Sequence, residues 1–175
     1  VQLVISDACR GLVEAIADYL PDARWQRCMV HFYRNVFSHV PAGKMREVSH
    51  MLKAIHAQES REAATEKAQA VIAQLRTQKL TRAAELIEES IGETLTYYAF
   101  PDSHWRKIRT NNPLERIMKE IRRRTRVVGA FPDGQSCLNL AAARLRHIAG
   151  SSWSTRKYMN MAPLLAQQTS TTGAV

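Results

Sequence analysis

Val1-Gln2-Leu3-Val4-Ile5-Ser6-Asp7 opens the chain with an apolar run that ends on an acidic residue. Such a run, closed by Ser-Asp, reads as a buried strand whose carboxyl end presents a carboxylate. From Gly11-Leu12 the spacing turns amphipathic and predicts a helix to about Leu20, where Pro21-Asp22 stops it. Trp25 to Phe32 is again rich in apolar residues, carries Cys28 and His31, and predicts a second strand. Strand, helix and strand in succession form a βαβ-like unit, which places the fold in the α/β class.

Beyond this opening unit, taken as residues 1–43, the periodicity changes. Met45, Val48, Leu52 and Ile55 make one stripe. Ala64, Ala68, Val71, Ile72 and Leu75 make a second, and Ala83, Leu86, Ile87 and Ile91 a third, all at three- and four-residue steps. Residues 44–100 therefore read as about three helices without strands, with charges alternating along the exposed faces. Phe100-Pro101 breaks the pattern. Residues 101–162 resume it with a helix from Asn112-Pro113, a connecting stretch from Val127 to Gly134, and an amphipathic segment from Ser136 to Ile148. The Ser/Thr-rich end, residues 163–175, is expected to be disordered. As a whole the chain is expected to be α/β but mostly helical.

Composition narrows the class of function. The 175 residues carry 25 Lys or Arg against 16 Asp or Glu, a net charge of +9, which favours a polyanionic partner. No apolar run approaches the roughly 18 residues of a membrane span, and no signal-peptide pattern opens the chain. Three cysteines, Cys9, Cys28 and Cys137, do not make a disulfide framework. A cytoplasmic location and no membrane partner are the expectation. Because Val1 to Ile5 reads as a strand with no initiator Met and nothing to pair with before it, the chain is expected to be a fragment.

The basic charge is concentrated. Between Arg106 and Arg126 stand nine Lys or Arg against two Glu, a surplus of seven out of the chain's nine. Winding Pro113 to Arg126 at helical pitch puts Leu114, Ile117, Met118 and Ile121 on one stripe, predicted to face the core. Glu115, Lys119, Arg122 and Arg126 share a flank, and Arg116, Arg123 and Arg124 spread over the other side. Two readings of Glu115 stand at this point. With Asn112 as N-cap and Pro113 at the first helical position, Glu115 completes a capping box. Alternatively, a carboxylate inside a basic face holds a divalent cation while the arginines hold phosphates.

Several blocks together resemble the Mutator-like family of bacterial insertion-sequence transposases. They are Ser6-Asp7-Ala8, Gln26 to Phe32, Thr110-Asn111-Asn112-Pro113-Leu114-Glu115-Arg116, Arg122-Arg123-Arg124-Thr125 and Val127 to Pro132, with Phe100-Pro101 ahead of Trp105 and the late Trp153. The resemblance runs from Val1 to about Tyr158. It implies a partial ribonuclease-H-like fold with an all-helical insertion, and a DDE triad holding two Mg²⁺ (or Mn²⁺) ions. By position Asp7 is the second aspartate and Glu115 the glutamate, both catalytic and metal-binding. The first aspartate belongs to an earlier strand. The implied activity is metal-dependent 3′-end cleavage and strand transfer of element DNA, by a homodimer or higher oligomer when full length, near the bacterial nucleoid. This chain alone is expected to be inactive. Met118, where many members carry Asn, and Cys9, where His or Gly is common, depart from the family pattern.

The resemblance also marks Cys28 and His31 as a C-x₂-H signature near the active site, with His31 a candidate DNA contact. Read bottom-up, the pair is half of a zinc site with no second pair at a compatible spacing. Trp105 is a candidate for stacking on an unpaired base, or for packing beneath the next helix. Arg116, Lys119, Arg122, Arg123, Arg124 and Arg126 are candidate phosphate ligands, which confer affinity without reading sequence. The competing functional readings are a non-catalytic basic helical protein that binds nucleic acid and a decayed transposase remnant.

Overall fold

The computed structural model of the chain describes residues 1–155 and 158–172. They divide into two compact units, residues Val1–Thr110 and Asn111–Thr172. The α/β class holds: two strands and ten α-helices are present among the described residues, and helix dominates.

In the first unit, β1 (Leu3–Ser6) and β2 (Arg24–Arg27) pair in parallel, with Leu3 opposite Arg24 and Ser6 opposite Arg27. Helix α1 (Arg10–Tyr19) makes the crossover that parallel pairing demands. Helix α2 (Met29–Phe37) buries Phe32, Tyr33 and Val36. Then follow α3 (Met45–Ile55), α4 (Arg61–Thr77) and α5 (Thr81–Ser90), and two 3₁₀ turns (Ile91–Thr94 and Thr96–Ala99) lead into α6 (Asp102–Ile108). The stripes legible in the sequence supply most of the buried faces of α3 to α5: Val48, Leu52 and Ile55 on the first, Ala64, Ala68, Val71, Ile72 and Leu75 on the second, Ala83 and Ile87 on the third, where Ala84 joins them; Met45, at 41% exposure, lies off its face, and Leu86 is half-buried. Helices α4 and α5 pack against one another, and Ala64, Ala68, Ala83 and Ala84 are buried on them. Ser60 starts α4 by accepting a hydrogen bond from the Ala63 N–H at 3.1 Å. Residues at the far end of the unit lock it: the Met29 N–H donates to the Arg109 carbonyl at 3.0 Å, and Arg109 Nη1 donates to the His56 carbonyl at 2.9 Å.

In the second unit, α7 (Asn112–Val128) and α8 (Gly134–Ala149) are joined through Gly129, whose φ of 78° lies in the left-handed region that only glycine enters without strain. Helices α9 (Ser152–Thr155) and α10 (Ala162–Thr172) follow.

Four expectations need correction. The second strand ends at Arg27 rather than Phe32, so Cys28 is the N-cap of α2 and His31 lies within that helix. The spacing of Phe32, Tyr33 and Val36 suits a helical face, and the apolar richness of the stretch hid that period. The N-cap of α7 is Asn111, without a side-chain cap bond, which puts Glu115 one place past the capping-box position. The α7 stripe is not a core: Leu114 is 56% exposed and Met118 40%, because the described part of this unit offers them no opposing layer. Finally, residues from Ala162 to Thr172 form a helix where a structureless tail was expected. Asn160 Oδ1 accepts from the Ala162 N–H at 3.1 Å, Pro163 sits in the first turn, and Leu164 is buried. Residues 173–175 of that tail lie outside the described residues.

Candidate functional site

The carboxyl end of β1 is held firmly. Ser6 Oγ accepts from Trp25 Nε1 at 2.8 Å and donates to the Asp7 carbonyl at 2.9 Å, and the Ser6 carbonyl accepts from the Cys28 N–H at 2.7 Å. Asp7 follows directly and is exposed, with Oδ1 accepting from the Ala8 N–H at 2.8 Å. In this strongly basic chain no Lys or Arg forms an ion pair with Asp7 among the described residues. Its carboxylate therefore keeps an oxygen directed to solvent at the carboxyl end of a parallel strand, the end at which open α/β sheets collect their ligands. Cys28 is fully buried at the corresponding end of β2, and its carbonyl accepts the Phe32 N–H that starts α2. His31 is half-buried on the first turn of α2. No group of three His, Cys, Asp or Glu side chains able to hold a metal ion is present among the described residues.

Trp105 is half-buried on α6. Its Nε1 donates to the Phe100 carbonyl at 2.7 Å, and its ring meets Tyr98 and Tyr97 edge-on at 4.6 and 5.7 Å. Sequence reasoning missed the polar core beside it. His56 lies 3% exposed, with Nδ1 at 3.0 Å from Tyr33 Oη and Nε2 at 2.8 Å from Thr94 Oγ1. Burial depresses its pKa to about 4, so the imidazole is neutral at physiological pH. Gln26 is equally buried and ties β2 to the 3₁₀ turns through Thr94 and Tyr97. Neither residue stands out by spacing, since the partners Tyr33, Thr94 and Tyr97 lie 23 to 71 positions away.

In the second unit, Glu115 is half-buried in the first turn of α7, and its N–H donates to the Asn111 carbonyl at 3.1 Å. Arg116, Lys119, Arg122, Arg123, Arg124 and Arg126 are all exposed on the same helix. The helix thus presents the cationic surface that the sequence predicts. The other acidic residue of the stretch, Glu120, is the hub of an ion cluster: Arg123, Arg124 and, from α8, Arg144 all converge on it. The hydrogen bonds from Arg123, with lesser help from Arg124 and Arg144, hold the Glu120 carboxyl down at about 2. The i+3 and i+4 partners are legible in the sequence, whereas Arg144 is not. Asp7 and Glu115 belong to different units.

The family described as "Transposase, Mutator family" matches residues 1–154. The transposase for insertion sequence element ISRM5 of Rhizobium meliloti is 35% identical over 161 residues, which cover 92% of this chain and 40% of that protein. The transposase for IS1081 of Mycobacterium tuberculosis is 38% identical over 161 residues, 92% of this chain and 39% of that protein. For the transposase of IS406 from Burkholderia multivorans the figures are 37% over 165 residues, 93% and 42%. The chain thus spans about two fifths of the length of the curated relatives it matches.

Proposed function

The chain belongs to the Mutator family of transposases, and on that premise we propose that it forms the later part of a catalytic domain that moves insertion-sequence DNA. In this reading β1, α1 and β2 belong to a ribonuclease-H-like core, α3 to α5 are a helical insertion, and α7 carries the final acidic residue. Asp7 and Glu115 are two of three catalytic carboxylates. The observation that carries the proposal is Asp7 itself: an exposed carboxylate at the end of a pinned core strand, with no cation of the protein paired to it among the described residues. Leaving a carboxylate unpaired in a chain of net charge +9 is reasonable where a bound cation is its counter-ion.

The donor set fits Mg²⁺ or Mn²⁺ in kind, since carboxylate oxygens are the hard ligands these ions prefer. In number it falls short within this chain, and the proposal assigns the missing ligand to an earlier strand of the full-length protein. Two such ions, when bound, would activate the attacking oxygen and stabilise the leaving one. The chain's own part is to present Asp7 on a rigid strand end and Glu115 on a helix. It also binds phosphate: Arg116, Lys119, Arg122, Arg123, Arg124 and Arg126 neutralise the DNA backbone without reading bases. Full-length protein is proposed to act as a dimer or higher oligomer, because two element ends must be joined.

The test uses full-length protein and DNA carrying both element ends, with 3′-end nicking as the readout. Glu115→Gln and Asp7→Asn are each expected to abolish nicking while DNA binding is kept or strengthened. Nicking at the wild-type rate by either variant would overturn the catalytic assignment and favour a non-catalytic nucleic-acid-binding role.

A further inference from the structure

We propose that the hollow between α7 and α8 around Glu120 is a subsite for one backbone phosphate of nucleic acid, built from guanidinium groups of both helices. The inference rests on the nucleic-acid reading of α7 above and deepens it by adding Arg144 of α8. Within the second unit, Arg116, Ile117, Glu120, Arg144, Ile148 and Ser151 line an open hollow of about 280 Å³. At its wall Glu120 Oε1 accepts from Arg123 Nη2 at 3.0 Å and Arg124 Nε at 3.2 Å, Oε2 accepts from Arg123 Nε at 2.9 Å, and Arg144 Nη2 stands 3.0 Å from Oε1 as an ion pair.

One carboxylate offers about four acceptor positions, and Arg123 and Arg124 already take three of those on Glu120. Three guanidiniums carry many more N–H groups than that. Arg144 Nε in particular is buried and meets no acceptor among the described residues. Arg116 adds a further charge on the same hollow. Glu120 thus gathers the arginines yet leaves the cluster positively charged and short of acceptors. A phosphodiester supplies what is missing: one negative charge and two oxygens at a spacing that matches the guanidinium fork. Glu120 is in this view a positioning residue, and Arg144 the phosphate ligand contributed by the second helix.

The experiment follows binding of a short DNA duplex by the chain across a range of salt, for wild type, Arg144→Lys, Arg144→Ala and Arg146→Ala. Arg146 is an exposed residue of the same helix outside the hollow, so its variant controls for loss of charge alone. Arg144→Ala is expected to weaken binding about fivefold and to lower the salt slope by about one. Arg144→Lys keeps the charge but loses the fork, and should still weaken binding about two- to threefold. Arginine Nε–H NMR on the wild type should show the Arg144 signal moving with those of Arg123 and Arg124 on duplex addition. If wild type binds but Arg144→Lys is unchanged, or Arg144→Ala and Arg146→Ala are equivalent, or the Arg144 signal stays still, the subsite is overturned while the wider reading survives. Absence of any binding by the wild type would instead remove the nucleic-acid reading of α7 and the subsite with it.

Discussion

Gln26 stands in the middle of β2 with no exposed surface, and its amide is fully used: Nε2 donates to the Thr94 carbonyl at 2.7 Å and Oε1 accepts from the Tyr97 N–H at 2.9 Å. Substituting Gln26→Leu strands both backbone groups in the core. The expected loss of stability is about 3 kcal/mol, readable from the midpoint of urea unfolding. His56 makes a different kind of prediction. Its folded pKa of about 4 lies below the usual value near 6.5, chiefly because burial disfavours the charged ring. The unfolded chain therefore takes up a proton first as the medium is acidified. Stability contributed by neutral His56 is complete above pH 6.5, declines as pH falls toward 4, and changes no further below that through this group. The span corresponds to something on the order of 3 kcal/mol. Unfolding free energy measured from pH 7.5 to 3.5 should show this decline in the wild type and a flatter profile in His56→Gln; equal slopes in the two would rule out His56 as its source.

Among elements, the α4–α5 pair depends on small side chains. Helices α4 and α5 pack against one another, and Ala68 and Ala84 are essentially without exposed surface, so larger groups at these positions would crowd the packing. Ala68→Leu is expected to overpack this contact and cost about 1–3 kcal/mol, measured as a lowered thermal midpoint with helix content retained at low temperature. Helix α7 behaves in the opposite way, since its stripe is only partly covered: Met118→Gln should change stability by less than about 0.5 kcal/mol, whereas the same change at a buried apolar position would cost several times more. The contrast explains which elements were legible. Stripes at three- and four-residue steps predicted α3 to α5 with their buried faces. The same pattern in α7 predicted the helix but misjudged its burial, because amphipathic spacing specifies a face and not what covers it. Helix α2 was hidden in a stretch whose apolar density obscured its period, and α10 in a Ser/Thr-rich segment that Asn160 and Pro163 nevertheless start.

For the molecule as a whole the governing quantity is charge. A surplus of seven positive charges lies between Arg106 and Arg126, and the arginines of α7 are exposed. Replacing Arg122, Arg123 and Arg124 together by Ala should weaken DNA binding about equally for all sequences and lower the logarithmic salt slope by up to about three. A sequence-dependent loss in competition binding would show that these residues read bases. What the sequence determined by itself was periodicity, charge and family: the βα opening, the helical middle, the basic helix, and the blocks that placed Asp7 and Glu115 in their motifs. These are local properties, set by the spacing of residue types along the chain. Tertiary structure alone decided that Cys28 caps a helix, that His56 and Gln26 are buried in one polar network, that Asp7 meets no cation among the described residues, and that Arg144 reaches across from α8 to Glu120. Each depends on groups remote in sequence being brought within a few ångströms of one another, which no spacing rule encodes.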